Sequence, residues 1–100
     1  MRSRYAAYAL EEVDYLIATT DPSGPQWRTD EEAWRADILT FCEMTEFRGL
    51  RIELADSQGD SGRVRFLASL HAGGRDSTLG ELSHFRRVEG RWLYFAGEAT

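Results

Sequence analysis

A chain of 100 residues, 42% apolar with 12 aromatic side chains and 29% charged, has material for one core and reads as a single domain, 1–100. No apolar run approaches the ~18 residues of a membrane-spanning helix, which excludes that class. A net charge of −5 argues against a general nucleic-acid binder, which needs a broad basic face.

The opening, MRSRYAAYALEEVDYLIATT, has an apolar look after two arginines, but Glu11, Glu12 and Asp14 interrupt it where a secretory leader would continue. On a helix, Ala6, Ala9, Leu10, Val13, Leu16 and Ile17 form one stripe. This predicts one amphipathic helix capped by Ser3 and ending near Thr20, before the turn residues Asp21-Pro22-Ser23-Gly24-Pro25. A second helix is predicted over about 30–43. Thr29 and the acids after it make a capping box, and Trp34, Ile38, Phe41 and Cys42 recur at helical spacing.

The period then changes to two. Leu50, Ile52 and Leu54 predict one strand, and Val64, Phe66, Ala68 and Leu70 a second. A third strand spans about 79–88, and the two residues Glu89-Gly90 join it to a fourth in which Trp92, Tyr94 and Ala96 face one way. Two helices followed by a four-stranded meander make an α+β domain, with an antiparallel sheet that needs the helices on one face. Charge is uneven along this order: residues 1–62 carry 13 acids and 6 arginines, whereas residues 63–97 carry 6 arginines and 3 acids. Cys42 stands alone, so no internal disulfide or cysteine-rich zinc site exists, which suits a cytoplasmic setting.

The R-S-R-Y opening with its D-Y-L core, FRGL, VRFLASLHAGG, and ELSHFRRVEGRWLYFAG with its E-x-S-x-F and G-x-W-x-Y patterns together resemble the central domain of the YchJ family. The resemblance spans nearly the whole chain and implies a nuclear-transport-factor-2-like cone, a curved four-stranded sheet wrapped around the two N-terminal helices. Family members usually flank this domain with SEC-C zinc knuckles. A lone cysteine leaves no knuckle here, and Met1 falls where the family helix begins, as in a shortened form or a relative without knuckles. The family's T-x-H-P motif reads Thr19-Thr20-Asp21-Pro22, so its histidine is replaced by Asp21.

The cone implied by the resemblance often encloses a pocket, used by ketosteroid isomerases and several dehydratases for acid–base chemistry. Candidate lining residues are Tyr5, Tyr8, Trp34, Glu81, Ser83, Phe85, Trp92 and Tyr94. A carboxylate beside a phenol in a dry cavity is the pattern of a base with an oxyanion-stabilising donor, which makes Glu81 with Tyr5 or Tyr8 the catalytic candidates. The competing expectation is a non-catalytic accessory or ligand-binding domain without cofactor or metal. In it Glu81 is a buried carboxylate paired with Arg65 or Arg4, and the tyrosines are core residues with tethered hydroxyls. His71 and His84 lie on different strands with no carboxylate at ligand spacing, which argues against a metal site. The partner would be a small molecule, a protein, or a second copy docked through the sheet.

Overall fold

The computed structural model describes residues 1–100 and is α+β. Three helices, α1 (Arg2–Ala9), α2 (Val13–Ala18) and α3 (Glu31–Met44), precede the strands. These are β1 (Thr45–Gln58), β2 (Ser61–Ala72), the two-residue β3 (Arg75–Asp76), β4 (Leu79–Val88) and β5 (Arg91–Ala99). The sheet order is β1-β2-β4-β5, all antiparallel, with β3 appended to β2.

The single opening helix predicted above is two helices. Glu11 adopts φ 59°, a left-handed conformation that ends α1 and redirects the chain into α2. The predicted stripe survives only in its second half. Val13, Leu16 and Ile17 are buried, whereas Ala6, Ala9 and Leu10 are exposed and α1 buries Arg4 and Ala7 instead. Ser3 does not cap α1; its hydroxyl accepts a hydrogen bond from Tyr15 Oη. In α3 the N-cap is Asp30 rather than Thr29, its carboxylate accepting from the Ala33 amide at 3.0 Å. Trp34, Ile38 and Cys42 point inward at the predicted spacing, while Phe41 stays 44% exposed.

β1 continues directly from α3 and is longer than its alternating core suggested. A bulge at Glu53 shifts its register, so that Ile52 faces Phe66 while Leu54 pairs with Arg65 on the outer face. The β4–β5 turn places Glu89 at φ 51° and Gly90 at φ 80°, the two-residue hairpin expected. In β5 a bulge at Phe95 carries Ala96 opposite His84 on the outer side and brings Gly97 opposite Ser83. The segment after α2 then lies along β5. Asp21 donates its amide to Tyr94 O, and Tyr94 donates to Thr19 O, at 2.8 and 2.7 Å.

Two apolar clusters result. One joins the helices through Ala7, Val13, Leu16, Ile17, Trp34, Ile38 and Cys42; the other lines the sheet through Phe66, Ala68 and Leu70. Tyr5, Phe47, Leu50 and Ile52 pack against the second, and the space between the clusters is the mouth of a cone.

Candidate functional site

A cavity of about 410 Å³ lies between the helices and the concave sheet face. Of the predicted pocket residues, Tyr5 and Tyr8 reach it from α1, Trp34 from α3, Glu81 from β4 and Tyr94 from β5. Phe47, Phe66, Ala68, Leu70 and Leu79 complete an apolar wall, and the Arg28–Asp37 ion pair (2.6 Å) borders it. Ser83 does not face the cavity; fully buried, it donates to Glu81 Oε2 at 2.5 Å and steadies the carboxylate from the β4 side.

Phe85 and Trp92 lie elsewhere. They line a second groove of about 590 Å³ with Val64, Gly62, Arg91 and the Asp56–Arg63 pair. Arg4 and Thr19 border this groove, and Met1 and Arg4 line both it and the cone, so the two spaces meet at these residues. Trp92 is 38% exposed, with the Arg87 guanidinium 5.2 Å above its ring.

The expected arginine partners of Glu81 are absent. Arg65 pairs in register with Leu82, one residue along β4 from Glu81, and so projects to the outer face. Arg4 is buried to 7% exposure and turns away from the carboxylate. Its Nη1 donates to Leu16 O and Thr19 Oγ1 at 3.1 and 2.6 Å, and its guanidinium lies 4.8 Å from the Tyr94 ring centre. Burial pulls this guanidinium below its ordinary value, but three oxygen acceptors and the ring face keep it charged. Glu81 Oε2 instead accepts from Ser83 and, at 3.4 Å, from Tyr94 Oη, which leaves Oε1 without a partner in the chain.

Tyr94 and Tyr8 are held protonated. Burial pushes Tyr94 well above its ordinary range, and the nearby Glu81 charge adds to the shift. Burial also raises Tyr8, with Arg4 opposing part of the effect. Tyr5 Oη is buried and has no hydrogen-bond partner. An orphaned hydroxyl of this kind costs about 1–3 kcal/mol in a folded chain.

Two further residues shape this site: Arg4, expected only as a partner for Glu81, and Gly97, which the sequence reading did not single out. Arg4 lies on a helix whose hydropathy pattern points the other way, and nothing in that pattern marks an arginine as the inward residue. Gly97 packs against Glu81 and Tyr94 so closely that a Cβ there would collide with the Glu81 carboxyl and with Tyr94 Oη. A glycine within a strand is the usual sign of such close approach, and Gly97 carried that sign.

The family model described as YchJ, middle NTF2-like domain, matches residues 1–97. A UPF0225 protein of Pectobacterium carotovorum is 41% identical over 97% of this chain, which spans 63% of that relative's length. A UPF0225 protein of Corynebacterium efficiens is 38% identical over 100% of this chain and 71% of its own. The solution structure of a SEC-C motif containing protein from Rhodopseudomonas palustris superposes with a TM-score of 0.83 at 36% identity, covering 100% of this chain and 75% of that one.

Proposed function

The chain belongs to the YchJ family, whose middle NTF2-like domain it matches, and from that premise we propose that it is a non-catalytic domain that binds a small molecule in its cone. The observation that carries the reading is a cavity of about 410 Å³ with Tyr5 among its lining residues, a side chain whose buried hydroxyl has no partner in the chain. That volume lies within the usual range for small-molecule sites, and largely apolar walls with a few placed polar groups are their common make-up. A hydroxyl kept only for packing would be replaced by phenylalanine with a gain in stability. One kept for a ligand is retained at that cost. A lone, buried Cys42 thiol suits work in the reducing cytoplasm.

Tyr5→Phe tests this directly. The variant is expected to melt at the same or a higher temperature than the parent, while ligands found by an NMR fragment screen lose roughly five- to tenfold in affinity. A destabilised variant, or unchanged affinity for every fragment that shifts cone resonances, would sink the assignment.

One observation favours a second reading, acid–base catalysis. Glu81 carries no arginine counter-charge and shares a hydrogen bond with a protonated phenol, Tyr94, a base beside a donor. It predicts that a small enolisable cyclic ketone exchanges its α-protons with D2O faster in the presence of the protein, and that Glu81→Gln abolishes the effect. Background exchange with the parent protein would leave the binding reading alone.

A further inference from the structure

The cone wall combines aromatic faces with one carboxylate that lacks a cation. Resting on the ligand-binding reading above, we infer that the cone takes a compact organic ammonium ion, an amine with an apolar body, with its charged head at Glu81.

The argument begins with charge. Glu81, Asp37, Arg28 and Arg4 are the acidic and basic side chains lining the cavity, and Met1, whose α-amino group burial holds below its ordinary value, lines it as well. Asp37 and Arg28 neutralise each other at its border. Arg4 directs its Nη1 to the end of α2, where Leu16 O, Thr19 Oγ1 and Thr20 Oγ1 accept from it. Glu81 alone lines the cavity as an acid without an ion-pair partner; Ser83 and Tyr94 hold Oε2, and Oε1 accepts nothing from the chain. A partly buried carboxylate without a counter-charge draws a cation more strongly than one in bulk water does.

The walls supply the second element. Tyr5, Tyr8, Trp34, Phe47 and Phe66 surround the cavity, and ring faces attract cations through their quadrupole. The fold already uses this attraction, since the Arg4 guanidinium lies over Tyr94. An ammonium head also brings several N–H donors for the Glu81 carboxylate. An anion would meet the Glu81 charge, and a neutral alcohol would leave it uncompensated.

Gly97 makes the geometry possible. A Cβ there would drive into the Glu81 carboxyl and Tyr94 Oη, so Gly97 acts as a positioning residue for the acceptor without lining the cavity itself.

The test uses three probes of one shape and different charge: 2-phenylethylammonium, 2-phenylethanol and phenylacetate. Each is titrated into the full chain while cone resonances are followed by NMR. The expected order is ammonium first, by at least about tenfold over the alcohol, with phenylacetate weakest. Glu81→Gln is expected to erase the preference, and Gly97→Ala, which moves the carboxyl without removing its charge, to reduce it. Alcohol and ammonium binding alike, or a preference that survives Glu81→Gln, overturns the ammonium assignment and leaves the cone as a site for neutral ligands. Cone resonances unmoved by all three probes would overturn the assignment together with the cone as a binding site.

Discussion

Asp21 and Arg86 form a pair of unequal exposure. Asp21 is fully buried, and its carboxylate takes both Arg86 Nε and Nη2, at 2.7 and 3.0 Å, as well as the Ser23 amide and hydroxyl. The arginine side chain is 49% exposed. Removing the arginine strands a buried charge, whereas Asp21→Asn leaves a half-solvated guanidinium that water can serve. Arg86→Met is therefore expected to cost about 3 kcal/mol and Asp21→Asn about 1 kcal/mol by urea unfolding; equal losses would refute the asymmetry. Burial alone would raise the Asp21 carboxyl, but the bonds from Ser23 and Arg86 outweigh it and hold the group below its ordinary value. A depressed folded value means that its contribution is complete above about pH 4 and is lost as pH falls through the folded value. Acid unfolding of Asp21→Asn should accordingly lack the part of the pH dependence that the parent shows below about pH 4. Glu81 behaves differently. With no arginine to strand, Glu81→Gln keeps acceptors for Ser83 and Tyr94 and is expected to change stability by less than about 1 kcal/mol; a loss of about 2 or more would reveal a cationic partner.

At the scale of elements, the breaks carry the information. The opening residues have the 3.6 period of one helix, yet Glu11 at φ 59° divides it, and the two halves bury different faces. Leu10, 71% exposed, belongs to the predicted stripe but to no core, while Val13 is 8% exposed within the helical cluster. Val13→Asp is expected to cost about 3 kcal/mol or more and Leu10→Ser less than about 0.5, measured as shifts in the urea midpoint. If the two costs matched, the continuous stripe would be the better description. The β4–β5 hairpin offers a complementary gain. Glu89 adopts φ 51° ahead of Gly90, where a two-residue turn favours Asn-Gly. Glu89→Asn should stabilise by about 0.5–1 kcal/mol, with a rise in melting temperature as the readout.

At the scale of the whole molecule, two apolar clusters face each other across a cavity instead of merging into one core. Unfilled space forfeits dispersion contacts on both sides, so the protein is less stable than its composition permits. Ala68, 4% exposed on the cavity wall, is the natural point to fill it. Ala68→Leu is expected to raise stability by about 1 kcal/mol while abolishing binding in the cone, a trade between stability and function. A destabilised Ala68→Leu would mean that the wall is already close-packed.

The amino-acid sequence by itself determined the α+β class, the strand order of a meander, the tight β4–β5 turn, α3 and the family. Periodicity and turn residues are local signals, and the motifs lie at fixed spacings along the chain. Tyr5, Tyr8, Trp34, Glu81 and Tyr94 come together as pocket candidates through the cone that the family resemblance implies; alternation along the strands shows only which residues of one strand share a face. Tertiary structure alone decided the rest. Bulges at Glu53 and Phe95 exchanged the faces of Leu54 and Ala96, since one unpaired residue reverses the alternation beyond it. Phe85 and Trp92, on the same concave face as Glu81, fell into a second groove because Arg4 and the segment after α2 divide that face in two. Which arginine meets which carboxylate depended on contacts as far apart as 65 residues, Asp21 with Arg86, and no local pattern encodes a pairing at that distance.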